Sequence, residues 1–447
     1  MRLNVFSNER LVGDLSYDNS TNQFDFTYAS SWIAAGDAFP LSPALPLHTP
    51  DRSAAAQSSA VRTFFENLLP EGKALENVAR NYNASKSSTA GLLAVLGRET
   101  AGALRIGLPG AAPADLPEQA MRLIPLEELS SRIKGRAWPP FAVWDKRVRS
   151  SIAGCQDKLA VYQDPAGQWF LVDTPHLAST HILKPEPGDP RLAGLTSNEF
   201  FCMRLAKAAG LNVAPVQLHH IPDPLLLVTR FDRKVSEDTV HRLPTIDGCQ
   251  ALGLAVGSKY ERPYGDSLDG RHIREGASLK RLFELLDSAA RPAAERMALL
   301  RWVIFQVLIG NTDAHAKNIT FFSSAAGLSL APAYDMSCGL LYADDQFDSS
   351  YAMAIGDAFL PSELSASEWT SFCHETKLNP NLLKRELTNL SQKVIVVLSQ
   401  VRSTCVAEGA NAEVVDRIES IIRGECQRQV EMASAVRPTM TSHPPPG

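Results

Sequence analysis

Gly310-Asn311-Thr312-Asp313-Ala314-His315-Ala316-Lys317-Asn318 closes an apolar run at residues 302–309. It is followed, 17 positions after Asn318, by Asp335, which Tyr334 precedes. An aspartate, an asparagine five positions on and a later aspartate make up the donor set of a phosphoryl-transfer site. Two carboxylates and an amide oxygen can hold Mg2+ and accept the proton of an attacking hydroxyl. Residues 319–322 read as a short strand, Ala325-Ala326-Gly327 as a turn and residues 328–331 as the returning strand. Such a hairpin would carry Asp335 back beside Asn318. Asp313 is then the base or hydroxyl-orienting group, and Asn318 and Asp335 are the metal ligands. The same residues also suit a helix-terminal turn, so the reading depends on whether the chain supplies the other parts.

Size and composition permit such an enzyme. A chain of 447 residues exceeds what one hydrophobic core organises, so two or three domains are expected. With 45% apolar and 21% charged residues it reads as soluble and globular. A net charge of -5 gives no global attraction to nucleic acid. The best membrane candidate, residues 297–309, is broken by Arg301 and Gln306 and falls short of the roughly 18 residues a span needs. The start, Met1-Arg2-Leu3-Asn4-Val5, lacks a secretory apolar region, so no membrane role and a cytoplasmic location are expected. Seven cysteines, odd in number and without C-x-x-C spacing, read as buried free thiols rather than disulfides or a zinc site.

The pattern of elements changes along the chain. Residues 2–28 alternate like three strands, and helical periodicity begins near Ala60. Residues 108–118 read as a linker and 125–133 as a helix. Residues 158–162, 168–172 and 180–184 suggest a three-stranded meander. A helix at 197–209, stopped by Gly210, and strands at 216–220 and 225–229 follow. From about residue 278 helix dominates, interrupted at 310–337, and 438–447 reads as a disordered proline-rich tail. The fold class expected is α+β: a two-lobed, protein-kinase-like fold with a strand-rich N-terminal lobe and a mainly helical C-terminal lobe.

Lys184 ends the strand Thr180-His181-Ile182-Leu183, where a lysine can neutralise nucleotide phosphate charge. Glu199, on the next helix, is either its ion-pair partner or the acid of a capping box, Thr196-Ser197-Asn198-Glu199. The small residues of Ser150-Ser151-Ile152-Ala153-Gly154 can let backbone amides approach phosphate, although neither a Walker A loop nor G-x-G-x-x-G is present and a plain turn remains open. Lys317 can contact the transferred phosphate; His315 can contact phosphate or orient the loop.

These segments together resemble the HipA family of bacterial serine/threonine kinases, the toxins of HipBA-type toxin–antitoxin modules. The resemblance rests on Phe64-Phe65-Glu66-Asn67-Leu68-Leu69-Pro70, on Gly97-Arg98-Glu99-Thr100-Ala101-Gly102-Ala103 and on Ser151-Ile152-Ala153-Gly154-Cys155-Gln156-Asp157-Lys158. It rests further on the Lys184 strand, Asn198-Glu199, Arg230-Phe231-Asp232-Arg233, Cys249-Gln250, the 310–318 loop and Tyr334-Asp335. It implies a HipA N-terminal subdomain at 1–107, a kinase N-lobe at 108–245 with the phosphate loop and ATP lysine, a helical C-lobe at 246–437 and a tail at 438–447. Asp313 would be the catalytic aspartate, assisted by His315 and Lys317, with Asn318 and Asp335 on Mg2+. Residues Ser151, Ile152, Ala153, Gly154, Lys184, Val228, Arg230, Phe231, Gln250, His315 and Tyr334 would line the ATP site. The resemblance also implies autophosphorylation of Ser151 or Ser150, which ejects the loop and shuts the kinase off, since a phosphate adds nearly two negative charges where ATP must bind. The implied partners are a helix-turn-helix antitoxin (HipB-like), operator DNA reached through it, and an aminoacyl-tRNA synthetase as protein substrate. A small-molecule phosphotransferase and an inactive kinase-like corepressor are the alternatives.

Overall fold

Where apolar residues alternate, the chain pairs into sheets. A computed structural model describes all residues except 49–50, 112–119, 137–139, 146, 150–155, 238, 268, 344–348 and 438–447. It divides into two compact units: Met1–Thr196 with Ala214–Lys259 and Lys317–Pro332, and Ser197–Val213 with Tyr260–Ala316 and Ala333–Gly447. The mixed strand and helix content is that of the expected α+β fold, with most strands in the first unit and the long helices in the second.

In the first unit Arg2–Ser7, Arg10–Asp18 and Gln23–Tyr28 form an antiparallel sheet, joined at its other edge by Leu104–Gly107. Leu3, Val5, Leu15, Phe24 and Phe26 face the core at the period of two that strands impose. The helix Ala54–Glu66, capped by the Ser53 side chain, brings Phe65 against Phe26 with ring centroids 5.6 Å apart.

A six-stranded sheet follows. Its order is Val216–His220, Pro224–Thr229, His181–Pro185, Leu159–Gln163, Trp169–Val172 and Met121–Leu123. The three strands expected as a meander are present, but His181–Pro185 pairs back on Leu159–Gln163 rather than on Trp169–Val172. That leaves the other edge of Trp169–Val172 to Met121–Leu123. The exchange buries Leu159, Val161, Trp169, Leu171, Leu183, Leu225 and Leu227 in one cluster with Leu129, Ile133 and Trp144. The 319–331 hairpin is also present, as Thr320–Ser324 and Gly327–Leu330, and gains a third strand, Thr245–Asp247, that periodicity did not reveal.

The second unit is built on Pro292–Leu308, Pro380–Ala407 and Ala412–Ala435. The last two run antiparallel, tied by ion pairs such as Arg402–Asp416 at 2.7 Å. Pro292–Leu308 is buried along its C-terminal half, from Leu299 through Leu308. Among the described residues, the non-helical stretch after it runs to Ala366, longer than the expected 310–337, relieved only by a single turn at Gly339–Leu341. Cys202, Cys249, Cys338, Cys373, Cys405 and Cys426 are free and buried, and burial pushes the Cys338 thiol up to about 12. Among the described residues no helix is long and apolar enough to cross a membrane.

Candidate active site

In the second unit, the helix Pro292–Leu308 ends in a manner that sets the Asp313 loop. Gly310, at φ 63°, donates to the Val307 carbonyl, and Asn311 reaches back to that of Gln306, the two bonds of a Schellman stop. A Cβ at position 310 would lie 2.7 Å from Leu340, so both conformation and space call for glycine. Buried Asn311 then locks the turn: its Oδ1 accepts from the Asp313 amide at 3.0 Å while its Nδ2 donates to Gln306 Oε1 at 2.8 Å. The outcome is an Asp313 whose main chain is fixed and whose side chain is 61% exposed. His315 is buried, with Nε2 3.8 Å from Asp313 Oδ1. This favours its loop-orienting role over a phosphate contact.

The segment after Asp335 packs against the same loop. Leu340 donates to the Gly310 carbonyl at 3.1 Å, and Gly339 lies so close to Thr312 that a Cβ there would come within 2.2 Å of its Oγ1. Asn198 clamps this segment through both ends of its amide, donating to the Cys338 carbonyl at 3.0 Å and accepting from the Cys338 amide at 2.8 Å. Asp335 itself adopts φ 56°, a left-handed conformation that costs a non-glycine residue energy and is seen where function demands it. Tyr334 is half-buried beside it.

In the first unit, Lys184 sits on the strand His181–Pro185, 6% exposed, with Leu226 opposite it; Val228 lies opposite Ile182 on the neighbouring strand. Phe231 follows that strand and meets Phe322 edge-on at 6.0 Å. Asn318 closes the turn Ala316–Asn318 and is buried. The capping-box reading of Glu199 is not what forms. The helix begins at Leu195, and the amides of Gly194 and Thr196 are taken by the Glu186 carboxylate, leaving Thr196 inside the first turn. Glu199 is 3% exposed, and a carboxylate buried to that degree needs a partner.

Three expected ATP or catalytic side chains are committed elsewhere. Arg230 uses all five guanidinium donors inside the first unit. Nε and Nη2 grip Asp232 at 2.9 and 2.7 Å, Nη1 reaches Glu99 and Ser179 at 3.1 and 2.9 Å, and Nη2 also reaches the Thr100 carbonyl at 3.2 Å. Lys317 points its ammonium at the Asn67 carbonyl, at Asn67 Oδ1 and at Asp247, at 3.0, 3.0 and 2.5 Å. Gln250 closes a capping box with Asp247 and donates to the Phe64 carbonyl at 3.1 Å. Each is a fastening rather than a ligand, because a side chain so bonded has no geometry left for phosphate or base. Ser150, Ser151, Ile152, Ala153 and Gly154 lie outside the described residues.

The sequence reading missed what these fastenings join. Asn67, from the 64–70 motif, holds Lys317 and also donates to the Leu254 carbonyl at 2.9 Å. Glu99, from the 97–103 motif, meets Arg230, Arg233 and Arg242 at 3.1, 3.3 and 2.9 Å. Burial alone would push the Glu99 carboxyl up, but the three guanidinium groups outweigh it and hold it down at about 2. Gly102, at φ 72°, gives its amide to Asp232 and presses on Thr245. The two N-terminal motifs therefore brace Lys317, next to Asn318, and the segment following Thr229. Removing the Asn67 side chain strips Lys317 of one of its acceptors and leaves a buried ammonium less satisfied. Asn67→Ala is expected to cost about 1–3 kcal/mol of stability, read by thermal or urea unfolding.

Among the described residues no group of three or more histidine, cysteine or carboxylate side chains is assembled that could hold a metal ion. Mg2+ at phosphoryl-transfer sites takes one or two protein oxygens and fills its shell with phosphates and water. Asn318 and Asp335 are oxygen donors of that type.

Comparison with known proteins agrees with this assembly of motifs. The HipA N-terminal domain matches residues 3–107 and the HipA-like C-terminal domain residues 150–399. The serine/threonine-protein kinase toxin HipA of Shewanella oneidensis is 37% identical over 404 residues, 90% of this chain and 89% of that protein. The Y4mE protein of Sinorhizobium fredii is 32% identical over 89% of this chain and 91% of its own length. The solved complex of Shewanella oneidensis MR-1 HipA with HipB and its operator DNA contains a chain that superimposes with a TM-score of 0.85 at 34% identity, covering 97% of this chain and 99% of that one. The chain belongs to the HipA family of serine/threonine protein kinases.

Proposed function

We propose that this protein is the toxin of a toxin–antitoxin pair, an ATP- and Mg2+-dependent kinase that arrests growth by phosphorylating a protein substrate. The observation that carries the reading is the Asp313 loop: a carboxylate left exposed while its main chain is pinned by a buried asparagine and a glycine stop. That construction suits a group that must meet an incoming hydroxyl in one orientation. Asp313 accepts or orients the hydroxyl proton, and His315 steadies the loop. Asn318 and Asp335 hold Mg2+, which when bound bridges and neutralises the phosphates of ATP. Lys184 meets the phosphates, with Glu199 as its expected partner. Val228, Phe231 and Tyr334 contribute to the adenine side.

The partners follow from the family likeness. The chain matched in structure lies in a complex with HipB and operator DNA, which supports a helix-turn-helix antitoxin that brings this protein to DNA. An aminoacyl-tRNA synthetase as substrate, and a cytoplasmic location, rest on the resemblance alone. Self-inactivation by phosphorylation of Ser150 or Ser151 belongs to the same reading. Incubation with ATP and Mg2+ is expected to add phosphate within residues 149–158, read by peptide mass spectrometry, and Ser150→Ala with Ser151→Ala to abolish it. Phosphate found only elsewhere on the chain would remove this off-switch from the account.

A further inference from the structure

Tyr260 was singled out by no motif, yet it touches the residue on which the proposed chemistry turns. Its hydroxyl donates to Asp313 Oδ1 at 2.6 Å, the short range of a hydrogen bond to a charged oxygen. Its ring stands edge-on to His315, centroids 5.1 Å apart and planes at 88°. The phenol and the imidazole thus bracket the same carboxylate oxygen.

What precedes and follows Tyr260 shows that the contact is built in. The next residue, Glu261, is 3% exposed and anchored at four points. Its amide donates to the Ala352 carbonyl at 2.9 Å, and its carbonyl accepts from Gly276 at 3.1 Å. Its carboxylate accepts from the Ala354 amide at 2.8 Å and from Arg274 Nε at 2.6 Å. Gly276 packs so tightly on Tyr260 that a Cβ would lie 1.8 Å from the Tyr260 carbonyl oxygen. A tyrosine at the tip of a mobile loop would meet an exposed aspartate only intermittently. This one is delivered by backbone that has little freedom to withdraw.

We propose that Tyr260 is a positioning residue for Asp313, fixing the rotamer of the carboxylate so that it stays reachable by the substrate hydroxyl. The inference rests on Asp313 being the catalytic aspartate. Asp313 is 61% exposed, and an exposed aspartate samples several rotamers unless something holds it. The Asn311 bond fixes its main chain only; Tyr260 fixes the side chain. The competing possibility is that the phenol occupies the place of the substrate hydroxyl and blocks it, and the two make opposite predictions.

The test compares steady-state kinetics of wild type, Tyr260→Phe, Asp313→Asn and the double variant on one protein substrate, each with its melting temperature. Positioning predicts that Tyr260→Phe loses about 10- to 100-fold in kcat, the scale of a reacting group held out of place, with KM for ATP within about twofold. It also predicts that the double variant is no slower than Asp313→Asn, since the phenol then has no base to position. An unchanged or raised kcat in Tyr260→Phe, with Asp313→Asn inactive, overturns the positioning role and leaves the kinase reading standing. A loss that multiplies with that of Asp313→Asn, or that follows a fallen melting temperature, makes Tyr260 merely structural and also overturns it. If Asp313→Asn is as active as wild type, the catalytic assignment of Asp313 itself has failed.

Discussion

Asp313→Asn is expected to lower kcat for phosphoryl transfer to protein about 1,000-fold while leaving the fold intact. The size follows from what a positioned carboxylate contributes as base or hydroxyl-orienting group, roughly 100- to 10,000-fold. The intact fold follows from the environment. The side chain is 61% exposed, and asparagine keeps an oxygen able to accept from Tyr260. Surface changes of this kind stay within about 0.5 kcal/mol of wild type. ATP affinity should change little, since Lys184, Asn318 and Asp335 are untouched. A kcat within tenfold of wild type, measured on folded protein, would move the base elsewhere.

The second large effect is on stability. Glu99→Gln removes one of two carboxylates from a buried cluster that also holds Arg105, Arg230, Arg233, Arg242 and Asp232. Cations are already in excess there: burial and neighbouring guanidinium groups push Arg233 down to about 9, and burial pushes Arg242 down to about 10. Breaking such a set by removing one partner costs about 3–5 kcal/mol, because the remaining charges stay buried without compensation. At the sensitivity of a domain this size, that is a drop of roughly 10 °C in melting temperature. The variant also predicts a pH signature. Glu99 has a folded value of about 2, below its ordinary 4.5, so its stabilisation is complete above pH 4.5 and is lost as pH falls toward 2. Wild type should therefore lose stability across that window, and Glu99→Gln should lose less there. A melting temperature within 2 °C of wild type at neutral pH would show that the cluster tolerates the loss, contrary to the geometry.

The two predictions divide along what could be read from the sequence. The Asp313 loop was legible because its causes are local: an apolar helix, a glycine stop and an asparagine two residues before the aspartate all lie within ten positions. The hairpin after Asn318 was legible for the same reason. Arg230 and Lys317 were misread because their partners are distant: Glu99 lies 131 positions from Arg230, and Asn67 lies 250 from Lys317. An arginine beside a nucleotide hinge and a lysine beside a metal ligand look like ligands until the residues that hold them are known. The meander failed on similar grounds. Strand order depends on which face is covered, and the cluster at Leu129, Ile133 and Trp144 is not visible in strand periodicity. Tyr260 gave no signal at all, since a single half-buried tyrosine 53 positions from Asp313 matches no pattern.

The central claim is that Asp313 carries out phosphoryl transfer from ATP to protein. The direct measurement is transfer of labelled γ-phosphate, with Mg2+, by wild type and Asp313→Asn, to the chain itself and to proteins of a bacterial lysate. The account predicts label on protein with wild type and a loss of about 1,000-fold with the variant. Label of equal strength from both, or none on any protein from folded wild type, would contradict it.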